Sequence, residues 1–379
     1  MKILNCEKML FGGFGMTRTD QGVVFVEGLL PGETGEVKAA GKRGGIPFFT
    51  TVKVLEPSAD RREPQCPWFG QCGGCNWLHI EHPAQLKAKR LIFDDAMQRI
   101  GKFAEYPEPE IFSGAEFGYR CRVQFQVDAE KEAVGFFRRR SHEIINIDSC
   151  PLLSDSLNEL LNHKMIISAN AKKGIFKAID TGDEVVSTPE ILGTSVSETD
   201  FELDGHKLHV SGDSFFQNNM ELAAKLAGWC SDILSGNRLL DIYGGTGLFA
   251  LFHAKNFRQV IVIERDKKMV KDANQAFQRN LINAKAVAST AENFAGKYKP
   301  GHFDVAIVDP PRQGVRKDAL NAIAKLAPPQ LLYISCNPTT QARDLGILVK
   351  KHGYTIEKTA IFDLYPNTDH LETGVLLSK

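Results

Sequence analysis

The chain carries no excess of either charge: 46 lysines and arginines stand against 46 aspartates and glutamates in 379 residues. That balance excludes a surface that is basic throughout, so any nucleic-acid footprint must be local. Candidate patches are Lys87, Lys89 and Arg90, then Arg138–Arg140, then Arg265, Lys267 and Lys268, although each also has the pattern of an ordinary solvated face. No apolar stretch approaches the length of a bilayer-spanning helix. The first residues, MKILNCEKML, lack the apolar core of a signal peptide, so a cytoplasmic protein without membrane contact is expected. Internal repeats and low-complexity segments are missing too.

What is present is enough apolar residue, 43%, for packed cores, and a length that predicts two or three domains. Residues 1–57 are punctuated by glycine and hold short β-like runs at 22–27, 35–39 and 48–55, which predicts a small five-stranded OB-like barrel. Residues 58–211 read as a central α+β unit. In it, 81–102 is helical and expected to pack on the catalytic domain, 119–147 alternates as antiparallel strands, 157–170 is helical and 173–210 is β-rich. From 212 to 379 strands and helices alternate, which predicts a Rossmann-like parallel α/β sheet with its ligand loops at the strands' carboxyl edge.

Three loops fall at that edge. The run Arg238–Ile242 leads into DIYGGTG (Asp241 to Gly247), and Glu264 ends the next strand. Gly245 and Gly247 fit a loop whose amides approach a nucleotide cofactor, with Glu264 on ribose hydroxyls. A dinucleotide and S-adenosylmethionine are both compatible. Asp241 favours the second, because a carboxylate there repels a pyrophosphate but suits a cationic amino-acid and sulfonium end. DPPRQG (Asp309 to Gly314) fixes an acid at a strand end with two prolines behind it. YISCNP (Tyr333 to Pro338) places Cys336 after a strand and before a helix that Pro338 can start. A lone cysteine is usually a small buried hydrophobe. At a helix N-terminus its pKa is expected to fall, which makes it a nucleophile. Gln217, in SFFQNN, could bond the cofactor or belong to a helix cap. Glu372, in DHLETGVLL, gains a role only if a base is needed opposite Cys336.

Of eight cysteines, Cys66, Cys72 and Cys75 fall within ten residues, with Gly73 and Gly74 between the last two, and Cys150 supplies a fourth. Four thiolates suit tetrahedral zinc or an iron–sulfur cluster, and spacing alone does not choose. Cys6, Cys121 and Cys230 have no such company.

Taken together these segments resemble the RNA uracil-C5 methyltransferases, the family of the bacterial 23S ribosomal RNA and transfer RNA 5-methyluridine enzymes. DIYGGTG is similar to the family's cofactor loop, DPPRQG to its DPP-R-x-G, YISCNP to its S-C-N, FFQNN to its F-x-Q-x-N, and HLET carries its C-terminal glutamate. The resemblance implies a class I methyltransferase domain, an N-terminal TRAM domain and a [4Fe–4S] site on Cys66, Cys72, Cys75 and Cys150, as in the ribosomal RNA branch. It implies Cys336 as nucleophile, Glu372 as proton-abstracting base and Asp309 as orienting acid. For S-adenosylmethionine it implies Gln217, Asp241, Tyr243, Gly245, Gly247, Glu264 and Asp309. RNA is then the partner, with 23S ribosomal RNA ahead of transfer RNA, and a monomer needs no protein partner. Gly244, Leu248 and Thr290 depart from residues common in the family. Two other classes compete: a nucleotide-dependent iron–sulfur oxidoreductase, which leaves Cys336 and Glu372 idle, and a non-catalytic RNA-binding protein.

Overall fold

A computed structural model describes residues 1–379 except 162, 171–172, 204 and 212–216. Glycine-flanked, half-buried runs in the first 56 residues fold as a six-stranded sheet, one strand more than expected. Its strands are Lys2–Asn5, Lys8–Leu10, Phe14–Thr19, Gly22–Glu27, Thr34–Arg43 and Ile46–Glu56. Alternate residues Leu4, Cys6, Val24, Val26, Val37 and Phe49 make its core. Cys6 is fully buried there, and a Cβ on Gly15 would lie 2.4 Å from its sulfur, so this thiol is packing. Buried Glu33 accepts two bonds from Arg61, both 2.6 Å, together with the amides of Leu30 and Ser58. Arg61 and these amides outweigh burial and hold the Glu33 carboxyl below its ordinary range. This ties the sheet to the segment that follows it.

A second, antiparallel sheet of five strands is built from Arg122–Asp128, Ala133–Phe137, Ile144–Asn146, Gly174–Asp180 and Val185–Thr188. The helix expected over 157–170 is two short ones, Asp155–Glu159 and His163–Asn170. In the first, the Asn158 amide serves the Cys150 loop, accepting from the Cys150 amide and donating to its carbonyl.

Strands with near-continuous apolar runs are buried on both faces in parallel sheets. Val305–Val308 is buried at all four positions, and five of the six residues of Gln330–Ser335 are buried. They lie in the middle of an eight-stranded sheet. Its order is Ala284–Ala288, Gln259–Glu264, Arg238–Ile242, Val305–Val308, Gln330–Ser335, Glu372–Ser378, Thr355–Phe362 and Glu110–Phe112. Only Glu372–Ser378 runs against its neighbours, so its first residue lies at the edge where the parallel strands end. Glu110–Phe112, from the first third of the chain, completes this sheet by pairing in parallel with Thr355–Phe362. The helix His82–Ala96 continues into a π-helical turn, Met97–Gly101. Its Ile92, Phe93 and Met97 enter the same core as Ala342, Leu345 and Leu348 of the helix Pro338–His352.

Candidate active site

The carboxyl edge of the large sheet gathers the chemistry-bearing loops. Asp241, fourth residue of its strand, is fully buried, and neither carboxylate oxygen has a hydrogen-bond partner. Burial, then the nearby Asp309 carboxylate, push its pKa up to about 8. Gly247 caps the next helix at φ 82°, and a Cβ there would lie 2.6 Å from the Phe277 ring, so only glycine fits. Tyr243 holds a left-handed φ of 66° and packs half-buried at the core's rim. Glu264 is pinned by backbone amides: those of Arg265 and Asp266 on one oxygen, at 2.6 and 2.8 Å, and that of Gly245 on the other at 3.3 Å.

The DPPRQG loop is locked to the helix that follows Cys336. Asn337 caps that helix through the amides of Thr339 and Thr340, and its Nδ2 donates to the Arg312 carbonyl at 2.9 Å. Buried Asp344, one turn on, accepts from the Val315 amide at 2.8 Å and from the Tyr333 hydroxyl at 2.7 Å. Gly314 at φ 75° leaves room for this, since a Cβ would meet Arg343 at 2.6 Å. The Asp309 amide donates to the Ile242 carbonyl, and burial raises its carboxyl to about 7.

Cys336 and Glu372 come to the same end of one strand pair. Ser335 and Thr373 are the last partners of that antiparallel ladder, Cys336 directly follows the first and Glu372 directly precedes the second. The Thr373 hydroxyl donates to the Ser335 carbonyl at 2.9 Å and fixes the pair. Burial, then the Asp309 carboxylate, raise the Glu372 carboxyl well above its ordinary range, with Arg312 opposing. The thiol departs from the sequence expectation. Burial, then the Glu372 carboxylate, push Cys336 up to about 11, although Arg312 works against them. The N-terminus of the helix does not make this an acidic thiol, because desolvation and two carboxylates outweigh it. Arg312, given no role by sequence reasoning although it stands in the motif, thus acts on both partners and reaches His370 at 3.5 Å.

Gln217 is tied through its backbone rather than its side chain. Its carbonyl accepts from the Cys121 thiol at 3.2 Å, and the Asn218 carbonyl from the Cys121 amide at 2.9 Å. Cys121, unassigned in the sequence, therefore anchors this segment. Ser214, Phe215 and Phe216 lie outside the described residues. Cys66, Cys72, Cys75 and Cys150 are all free thiols and line one pocket with Arg120. Burial raises Cys72 and Cys150, and Cys75 to about 12. Among the described residues no three His, Cys, Asp or Glu side chains are gathered tightly enough to hold a single metal ion. No helix among them is long and apolar enough to cross a membrane.

The sequence profile described as tRNA (Uracil-5-)-methyltransferase matches residues 195–379. A protein of Aquifex aeolicus described as an uncharacterized RNA methyltransferase is 30% identical, over 99% of this chain and 97% of its own length. The chain belongs to the RNA uracil-C5 methyltransferase family. The 23S rRNA (uracil(1939)-C(5))-methyltransferase of Shewanella amazonensis is 29% identical to this methyltransferase, over 95% of the chain and 91% of its own. In fold it is similar to the Pyrococcus abyssi tRNA (uracil-54, C5)-methyltransferase, solved with S-adenosyl-L-homocysteine. The TM-score is 0.78 and identity 22%, over 99% of this chain and 100% of that one.

For the methyltransferase without ligand, Asp241 is a source of pH-dependent instability. Its pKa of about 8 in the folded chain exceeds the unfolded value near 3.8, so folding takes up a proton between those limits. The stabilisation that this proton brings is complete below about pH 4 and is lost as pH rises through about 8, a change on the order of a few kcal/mol. Asp241→Asn is expected to flatten the decline in Tm from pH 5 to 9. A variant whose Tm–pH curve parallels the wild type would show that the carboxyl is not buried in this way.

Proposed function

We propose that this protein methylates C5 of uridine in RNA with S-adenosylmethionine, through a covalent Cys336 adduct and with Glu372 as the base. The observation that carries the reading is that Cys336 and Glu372 flank the last pair of one ladder, with the Glu372 and Asp309 carboxylates close enough to raise the thiol. A buried carboxylate without partners suits a cation, and Asp241 meets that need for the ammonium and sulfonium of S-adenosylmethionine. The bound cofactor supplies an electrophilic methyl group. Asp241, the Gly245–Gly247 backbone and Glu264 would hold it, with Tyr243 and Gln217 bordering the site.

Uracil C5 is a poor nucleophile until a thiolate adds to C6. The Cys336 sulfur forms the C6–S bond, and the ring electrons move to an enolate that makes C5 nucleophilic. Asp309 orients the ring. C5 takes the methyl group, Glu372 removes the C5 proton, and the electron pair left behind expels the thiolate as the C6–S bond breaks. A base within a duplex must be flipped out to reach this edge. Higher identity to a 23S ribosomal RNA enzyme, 29% against 22% to a transfer RNA enzyme, favours that substrate. Incubation with labelled S-adenosylmethionine and either RNA, with 5-methyluridine mapped by mass spectrometry, decides between them. Product in neither RNA would remove the assignment.

The chain is taken to divide at 1–57, 58–211 and 212–379, with the first part as a TRAM-type RNA grip. Four free thiols around one pocket fit a [4Fe–4S] centre. Protein purified without oxygen should be brown, with about four irons per chain. Cys150→Ser should lose the iron and Cys121→Ser should keep it. Stoichiometric zinc without iron would exclude the cluster.

A further inference from the structure

The Glu372 carboxylate makes no hydrogen bond among the described residues, so its aim is set by its backbone. On the C-terminal side that backbone is locked into two strand ladders. On the N-terminal side it continues from the loop of residues 363–371, and the anchors of that loop come largely from the first half of the chain.

Two reciprocal pairs stand out. Gln85 Nε2 donates to Asn367 Oδ1 at 3.0 Å, while the Asn367 amide donates to Gln85 Oε1 at 2.7 Å. Asn76 Nδ2 donates to Asp369 Oδ1 at 2.6 Å, while the Asp369 amide donates to Asn76 Oδ1 at 3.0 Å. The Gln85 and Asn367 side chains are fully buried. Asn367 also sits at a left-handed φ of 65°, which asparagine adopts more readily than other side-chain-bearing residues. Buried Lys89 adds an ion pair to Asp363 and donates to the Tyr365 carbonyl at 3.1 Å.

We propose that Asn76 and Gln85 are positioning residues for the Glu372 base, acting through the loop of residues 363–371. The inference rests on the reading of Glu372 as that base. A reciprocal amide pair fixes both the place and the orientation of the backbone it holds, and its loss leaves buried groups unsatisfied. Asn76 directly follows Cys75, so the segment that carries three of the cysteines also supports the base. The residues proposed to hold the cofactor lie on other loops, so cofactor binding should be unaffected while proton removal slows.

The test compares Asn76→Ala, Glu372→Gln and the exchange Asn76→Asp with Asp369→Asn, which rebuilds the reciprocal pair with its ends reversed. Asn76→Ala should bind S-adenosylhomocysteine and form the covalent complex with 5-fluorouridine RNA as the wild type does. Its turnover on ordinary uridine RNA should fall by about 10- to 100-fold, because a base displaced by an ångström loses that much. A denaturation-resistant methylated complex should accumulate, and amide exchange in residues 363–371 should quicken. The exchanged pair should recover most of the turnover and the slow exchange. Slow turnover without accumulation, or an exchanged pair no better than Asn76→Ala, would overturn the inference. If Glu372→Gln stalls while Asn76→Ala does not, the positioning role alone fails. If Glu372→Gln turns over freely, the base assignment fails and takes this role with it.

Discussion

Replacing Cys336 by alanine is expected to lower uridine methylation by about 10⁴-fold or more, since no other route makes C5 nucleophilic. The same substitution should abolish the denaturation-resistant complex with 5-fluorouridine RNA. In the wild type that complex persists because fluorine at C5 cannot leave as a proton. Cofactor binding should be preserved, since the Asp241 and Gly245–Gly247 loop lies on other strands of the edge. The thiol, raised to about 11 by burial and the Glu372 carboxylate, rests protonated. The wild-type trapping rate should therefore climb by up to about tenfold per pH unit from neutral toward alkaline conditions. Trapping by Cys336→Ala as strong as that of the wild type would remove this residue from the mechanism.

Glu372→Gln is expected to separate the steps rather than stop the first. Thiol addition and methyl transfer precede loss of the C5 proton, so one methyl group should still be transferred. Release should then fall by about 10²- to 10⁴-fold, the range that general-base removal covers. A covalent complex of protein with methylated RNA should build up on ordinary uridine, where the wild type accumulates none. The substitution also removes the carboxylate that raises the thiol, so Cys336 should become more acidic. Near-normal turnover would exclude Glu372, and loss of cofactor and RNA binding together would make it structural.

The large sheet was legible because its central strands are buried on both faces. Val305–Val308, and residues 331–334 within Gln330–Ser335, read as unbroken apolar runs for that reason. Glu110–Phe112 carries no such signal. Three residues cannot show a period, and their partner strand begins more than two hundred positions away. The place of Asp241 at the end of its strand could be read from the sequence, whereas its complete burial without a partner could not. Nor could the acidity of Cys336. A helix N-terminus is visible in sequence, whereas the carboxylates that outweigh it arrive from distant strands. Cys121 escaped notice for a similar reason: its work is a hydrogen bond to a carbonyl 96 positions away.

The loop that leads to Glu372 also bears on how the chain folds. Its contacts with Gly12, Asn76 and Gln85 close sequence separations of 357, 293 and 282 residues. Contacts of such high order form late, because the entropy of closing a long loop opposes them until other packing has brought the ends together. During refolding, secondary structure and core fluorescence should therefore return before methyl transfer does. The interval between them measures the docking of the first hundred residues onto an already assembled sheet.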